Sequence, residues 1–216
     1  MSLAVLQFGW DQYPNSSATS HSELSSNATV GNTVALAIIS TSGTLGDVAS
    51  VSSSIGTFTR INDVNQNLDL EWWVCLSVTT SAKNLTVTTT SGDNWYAAAY
   101  EISGGATNAT SGGSVSNSGS SGSLSITPVE SGDLILAATQ SSGASPITSE
   151  PSSPWTLLGG VGVWSESKGA DAAYQVVPST SSVAAAWSNS YGGTEILGLI
   201  VHAPVVATTE PIVMIV

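Results

Sequence analysis

The chain has 216 residues, of which 41% are hydrophobic and only 8% are charged, and its net charge at pH 7 is −12. Three basic residues cannot neutralise a nucleic-acid backbone or hold an anionic membrane surface, so neither is expected as a partner. The single cysteine, Cys75, excludes an intramolecular disulfide. The first residues, MSLAVLQFGWDQ, lack the features of a signal peptide, and no apolar run is long enough for a transmembrane helix.

The first half of the chain begins with an apolar segment, residues 1–14, which we interpret as an N-terminal arm. A Ser/Thr/Asn-rich stretch then leads to Gly31-Asn32, which opens the apolar run VALAII. The landmarks that follow, in chain order, are Phe58-Thr59, EWWVCLSVTTS from Glu71, LTVTTTSGD from Leu85 and WYAAAYEISG from Trp95.

The second half repeats these landmarks in the same order, about 100 residues later. They are a Ser/Gly-rich stretch, Gly132-Asp133 with LILAAT, Trp155-Thr156, ADAAYQVVPST from Ala170, VAAAWSNS from Val183 and TEILGLIVHAP from Thr194. The order predicts a duplication, with half-repeats of about 15–104 and 105–204 and a C-terminal apolar tail, residues 205–216.

Each landmark is a short apolar or alternating run between Gly, Ser, Asn or Pro residues, which is the pattern of β-strands. LTVTTT alternates, as expected for a strand with one wet face, whereas VALAII and LILAAT predict central strands covered on both faces. We therefore predict an all-β protein with almost no helix, an antiparallel β-sandwich or jelly roll built from two sequence-related halves. One sandwich with a shared core is favoured over two small ones.

Both ends of the chain are apolar. At the N-terminus these residues are Leu3, Val5 and Leu6, and at the C-terminus they are Pro211, Ile212, Val213, Met214, Ile215 and Val216. Two interpretations remain open for each end: a terminal strand that packs on its own core, or an assembly element that pairs with a neighbouring subunit.

Alternating oxygen-bearing residues make DVNQNLDLE a candidate calcium site, with Asp63, Asn65, Asp69 and Glu71 as ligands. An EF-hand loop would have Gly at its sixth position and Glu at its twelfth, whereas this chain has Leu68 and Val74. A strand with its polar residues outward and its apolar residues inward explains the same alternation without a metal.

Exposed aromatic rings can stack on sugars, so Trp72, Trp95, Tyr96 and Trp164 are candidate glycan-binding residues. Because Trp72 and Trp73 are adjacent, one of them points into the core if the segment is a strand. Packing is the alternative role for all of these rings.

The sequence contains no CxxC, HExxH, GxSxG or phosphate-binding loop, and its two histidines, His21 and His202, lie in no motif. No residue is nominated as a base for a hydroxyl nucleophile. We therefore expect no enzymatic activity, no catalytic residues and no cofactor.

The order Gly-Asn/Asp, apolar strand, aromatic-Thr pair, Trp/Tyr-containing strand, TVT-type strand and Ala-rich strand resembles β-sandwich proteins of tailed-bacteriophage virions, notably phages of actinobacteria. These are head decoration and minor tail or fibre components. The resemblance covers residues 15–204 and implies a virion structural protein, most simply a capsid decoration protein, otherwise a minor tail protein. It also implies docking on other virion proteins, that is, major capsid or tail proteins. A homo-oligomer is expected as well, since the apolar tail fits docking or oligomerisation. The alternatives are a carbohydrate-binding module for host glycans and a donor-strand filament subunit.

Overall fold

The computed structural model describes residues 3–13, 18–21, 24–40, 48–65, 69–90, 95–141, 146–157, 169–190 and 192–204. These ranges contain strands, turns and loops and no helix. The prediction of an all-β antiparallel sandwich is confirmed.

The described ranges contain sixteen strands. Those of the first half are β1 (Ala4–Tyr13), β2 (Ala18–His21), β3 (Thr33–Ser40), β4 (Val48–Ser53), β5 (Thr59–Asn65), β6 (Asp69–Cys75), β7 (Leu85–Thr89) and β8 (Trp95–Ser103). Those of the second half are β9 (Asn108–Asn117), β10 (Ser121–Ile126), β11 (Leu134–Ser141), β12 (Ile147–Ser149), β13 (Thr156–Leu157), β14 (Ala170–Val176), β15 (Val183–Asn189) and β16 (Thr194–His202).

The strands form four antiparallel sheets. Sheet A has the order β1-β8-β3-β6-β5, and sheet B has the order β2-β7-β4. Sheet C has the order β9-β16-β11-β14-β13, and sheet D has the order β10-β15-β12. Sheets C and D therefore repeat the strand order of sheets A and B, with each strand replaced by the one eight places later.

The Gly-Asn and Gly-Asp dipeptides form equivalent turns before the two central strands. Gly31 and Gly132 have φ angles of 88° and 93°, a conformation that glycine adopts without the steric cost of a Cβ. The amide of Gly31 donates to the carbonyl of Val78 at 2.9 Å, and that of Gly132 donates to Val177 at 2.8 Å. The repeated sequence thus positions the start of β3 and of β11, while a sequence relationship between the halves stays a prediction.

Three apolar clusters lie between four stacked layers, in the order B, A, C, D. A central core between sheets A and C takes residues from both halves of the chain, including Ala37, Trp72 and Leu136. One outer core lies between sheets A and B, and another between sheets C and D. Strand β3 supplies Leu36 to the first outer core and Ala37 to the central core, so its apolar run is covered on both faces, as predicted.

Residues 4–13 belong to the predicted N-terminal arm, for which a terminal strand and an assembly element were both left open, and they form edge strand β1 of sheet A. This strand pairs with β8 from Ala4↔Ser103 to Tyr13↔Trp95, with one irregularity between Val5 and Gln7. Its place beside β8 matches that of β9 beside β16, so by strand order the first set of eight strands begins at β1.

Candidate functional site

Among the described residues, three exposed large apolar side chains lie close together on β1. Leu6, Phe8 and Trp10 are 56%, 38% and 42% exposed, and we call these three residues the β1 surface. An edge strand that presents large apolar groups to solvent is unusual for a protein that stays alone, because such strands invite pairing and docking. The β1 surface is therefore a candidate interaction site.

Assembly residues were predicted on this strand from the sequence, but the prediction was incomplete. Leu3 is buried in the central core and Val5 packs against it, so of the three predicted N-terminal residues only Leu6 is presented to solvent. Phe8 and Trp10 were missed; they pair with Tyr100 and Ala98, so both lie on the face of sheet A that packs on the central core, at the exposed edge of that face. The predicted C-terminal assembly residues, 211–216, lie outside the described residues.

Aromatic contacts hold the β1 surface against both halves of the chain. The Phe8 ring lies 6.4 Å from the rings of both Tyr100 on β8 and Tyr174 on β14. Tyr100 lies 6.1 Å from Tyr174 and 6.1 Å from Trp72, between centroids. Since such ring pairs are worth about 0.5–1.5 kcal/mol beyond burial, β1 is fixed to the central core while its outer side chains stay accessible.

The candidate glycan-binding rings do not form a platform in the described part of the chain. Trp72 and Trp95 are fully buried, so a sugar cannot stack on either ring. The side chain of Tyr96 and all of Trp164 lie outside the described residues. Trp72 and Trp95 take the packing role, because each side of sheet A is covered by another sheet.

The calcium candidates lie on two antiparallel strands rather than in one loop. Asp63 pairs with Glu71, and Asn65 pairs with Asp69, in the β5–β6 ladder. Asp69 and Glu71 are fully buried, although the strand interpretation had placed them outward. The side chain of Asn65 lies outside the description. Within the described ranges, no group of three or more His, Cys, Asp or Glu residues is arranged to hold a metal ion.

Glu71 is instead held by its neighbours. The Trp73 indole N–H donates to Glu71 Oε2 at 2.6 Å, and Arg60 Nη1 lies 3.3 Å from Glu71 Oε1. Burial raises the pKa of Glu71, and the Trp73 hydrogen bond and the Arg60 charge offset only part of that rise. A hydrogen bond with the Asp69 side chain also lowers the pKa of Glu71, so Trp73, Arg60 and Asp69 together keep the pKa below what burial alone would give.

Asp171 takes the equivalent place in the second half. It lies opposite Thr139 in the β11–β14 ladder, and Glu71 lies opposite Ile38 in the β3–β6 ladder. The Trp187 indole N–H donates to Asp171 Oδ2 at 2.8 Å, and the Ala172 amide donates to Oδ1 at 2.7 Å. Burial raises the pKa of Asp171 to about 6, despite these two hydrogen bonds. Each half thus buries a carboxylate against a tryptophan indole.

His202 lies between a hydroxyl and a carboxylate, an arrangement that the sequence did not reveal because the residues are far apart in the chain. Thr110 Oγ1 is 2.8 Å from His202 Nε2, and His202 Nδ1 is 3.3 Å from Asp133 Oδ2. A hydroxyl, an imidazole and a carboxylate in this order are the components of the catalytic triad of many hydrolases. This arrangement of three groups does not by itself make a catalytic site.

Asp133 has a structural role that explains this arrangement. Its carboxylate accepts hydrogen bonds from the amides of Val129, Glu130 and Ala203 at 3.0–3.1 Å. In the first half, Glu101 holds the equivalent turn by accepting from the Thr29 amide at 2.8 Å and from the Asn32 side chain at 2.6 Å. The pocket beside His202, about 270 Å³, is not lined by Thr110. Turn stabilisation accounts for the geometry.

A groove of about 450 Å³ lies on the second half, beside β15. Its walls are the loop 149–155, the buried Gln175 of β14, and three residues of β15, Val183, Ala184 and Ala186. The volume falls in the range of ligand sites, roughly 300–1,000 Å³. No sequence pattern indicated this groove, because it arises from a strand that ends early.

No protein-family model, curated protein or solved structure matches the chain. The described ranges hold no helix that is both long and apolar enough to cross a membrane.

Proposed function

We propose that the protein is a non-enzymatic structural protein of a tailed-phage virion that docks on other virion proteins through the β1 surface. Capsid decoration is the first assignment and a minor tail role the second. The observation that carries the proposal is the exposure of Leu6, Phe8 and Trp10 on an edge strand of a five-stranded sheet. Aromatic side chains such as Phe8 and Trp10 are enriched in protein interfaces, and tryptophan is among the residues that contribute most of the binding energy.

The layered core supports the proposal, because it gives the protein a rigid body. Sheets A and C bury one face against each other and the opposite face against a smaller sheet. Such packing makes the body rigid, so that a partner bound at β1 meets a preformed surface. The resemblance in the order of sequence landmarks to virion β-sandwich proteins is the second support for the proposal.

Two alternatives were predicted from the sequence. A carbohydrate-binding module loses support, because Trp72 and Trp95 are buried. A donor-strand filament subunit needs an unpaired strand position, and the early end of β12 beside β15 is the observation that favours it. It remains the second candidate.

The proposal is tested by replacing two residues of the β1 surface while leaving Phe8, which packs on Tyr100 and Tyr174. The double variant Leu6→Ser/Trp10→Ser should stay folded but lose co-sedimentation with empty phage heads, and any homo-oligomer seen by light scattering should dissociate. Val129→Ser removes a side chain that is 62% exposed elsewhere and serves as the matched control. Docking by the double variant at wild-type levels, or no docking by the wild type on heads or tails, would refute the proposal.

A further inference from the structure

The groove beside β15 exists because the two halves differ at one strand. In the first half, β4 pairs with β7 from Val48↔Thr89 to Ser53↔Leu85. In the second half, the equivalent strand β12 pairs with β15 only at Ile147↔Asn189 and Ser149↔Ser188. The chain then turns away, with the Trp155 amide donating to the carbonyl of Ser152 at 3.3 Å. Within the described ranges, no strand pairs with residues 183–187 on that side of β15.

The backbone of β15 presents hydrogen-bonding groups to the groove. The carbonyl of Ala184 points toward the groove rather than toward β10, and it is already occupied there by the Trp155 indole N–H at 2.9 Å. Backbone groups alternate in direction along a strand, so those of Ala186, two residues on, point to the same side. The side chains of Ala184 and Ala186 are small and exposed, and they leave space for another backbone to approach.

Gln175 supplies a second, independent indication of a ligand. Its side chain is only 3% exposed, lines the groove, and has no hydrogen-bond partner for Nε2. A buried amide donor without a partner costs free energy comparable to a lost hydrogen bond, so turning this side chain toward an acceptor held in the groove would bring a net gain. A peptide carbonyl is such an acceptor.

We propose that the groove binds an extended peptide segment, which adds to sheet D as a strand antiparallel to β15 and places one carbonyl on Gln175 Nε2. The first half identifies the occupant, because β4 fills the equivalent place beside β7 with an extended segment of small residues, VASVSS. Recognition of this kind uses main-chain hydrogen bonds for affinity and alternate side-chain positions for selectivity. The inference does not rest on the virion proposal.

The residues that line the groove favour peptides of a certain charge and side-chain size. Glu150 lines the groove, and the whole chain carries a net charge of −12, so an acidic peptide is repelled and a neutral or basic one is accepted. A sugar is disfavoured, because the Trp155 ring is only 9% exposed and its N–H is already bonded to Ala184. The side chains of the bound peptide that face the groove floor must be no larger than valine. Val51 holds the corresponding position on β4.

The probe is a synthetic peptide with the sequence of residues 48–55, VASVSSSI, titrated into the full-length protein by calorimetry. Saturable binding is expected for the wild type. Gln175→Leu should weaken it about tenfold, the equivalent of one hydrogen bond, without lowering the thermal midpoint, since the amide donor has no partner to lose. A peptide carrying Val51→Pro and Ser52→Pro should not bind, because proline lacks the N–H that a strand donates.

A second variant keeps the test independent of the Gln175 substitution. Ala186→Arg places a bulky side chain at an exposed position of the groove and should abolish binding, whereas Thr80→Arg, on an exposed loop of the first half, should not. The proposal is overturned if neither this peptide nor a random octapeptide library binds saturably, or if binding ignores both groove variants. Binding of neutral oligosaccharides, but not peptides, with the same sensitivity to the variants would make the groove a sugar site instead.

Discussion

The indole N–H of Trp72 donates a hydrogen bond to the main-chain carbonyl of Leu197 at 3.1 Å, and this bond crosses from sheet A to sheet C. Leu197 lies at the irregularity in the β9–β16 ladder. Asn62 makes a second crossing, since its Nδ2 donates to the carbonyl of Gly198 at 2.8 Å. The two halves of the chain are thus joined by directed polar contacts as well as by apolar packing.

Replacing Trp72 by phenylalanine should destabilise the protein by about 2–4 kcal/mol, because the change removes buried volume and leaves the Leu197 carbonyl without its donor. Urea unfolding gives the free energy directly. Leu76→Ser, which alters an exposed residue just after β6, is the control and should change stability by less than about 0.5 kcal/mol. A Trp72→Phe variant as stable as the wild type would show that the crossing contact contributes nothing.

The central core also predicts that both halves unfold together. Leu136→Ala removes a side chain of β11 from that core and should reduce amide-exchange protection in β3 as well as in β11, because both strands pack on the same cluster. Hydrogen exchange followed by mass spectrometry separates the two strands. Loss of protection confined to the second half would mean that the halves are two independent sandwiches, the alternative left open by the sequence.

Much of the fold was predictable because strand patterns are local. VALAII and LILAAT predicted the central strands, and the two Gly-Asn/Asp pairs marked their starts, since only the neighbouring residues are needed for such an inference. The sequence did not reveal that four layers stack. In a two-layer sandwich the outer face of each sheet is wet, so alternating Asp69 and Glu71 were expected outside, whereas sheet B covers them.

The candidate sites were less predictable, because they depend on contacts between distant residues. The groove beside β15 requires knowledge of where β12 ends, and the His202–Asp133 contact joins residues far apart in the chain. Leu6 was predicted as an assembly residue, but Phe8 and Trp10 could be distinguished from core residues only once β1 was known to be an edge strand.

Asp171 should make stability depend on pH between its ordinary pKa of 3.8 and the raised value of about 6. The native state binds the proton more tightly than the unfolded state, so stability is highest at low pH and falls as pH rises through this window. Asp171→Asn cannot ionise. The unfolding free energy of the variant minus that of the wild type should therefore rise by about 2 kcal/mol from pH 4.5 to 7.

Urea midpoints measured above pH 4.5 check this dependence while avoiding precipitation near the isoelectric point, which is about 4.1. Trp187→Phe removes the hydrogen bond that favours the charged carboxylate, so the fall in stability should move to higher pH. Parallel curves for the wild type and Asp171→Asn would show that this carboxyl has the same pKa in the folded and unfolded states.

Arg60 should stabilise the protein only where Glu71 is ionised. Burial raises the pKa of Glu71, and the guanidinium favours its charged form, so Arg60→Gln should raise that pKa further. The cost of Arg60→Gln is expected to be small near pH 4.5 and to grow to about 1–2 kcal/mol at pH 7. It stays modest because the Arg60 side chain is 40% exposed and its charge is screened.

Arg60→Lys retains the positive charge and should recover part of the loss, which separates the charge from the packing of the long side chain. The double variant Arg60→Gln/Glu71→Gln removes both charges. The difference in unfolding free energy between this double variant and Glu71→Gln should therefore not change with pH. If Arg60→Gln costs the same at pH 4.5 and pH 7 in urea unfolding, then Arg60 acts through packing alone and the Glu71 carboxylate does not depend on it.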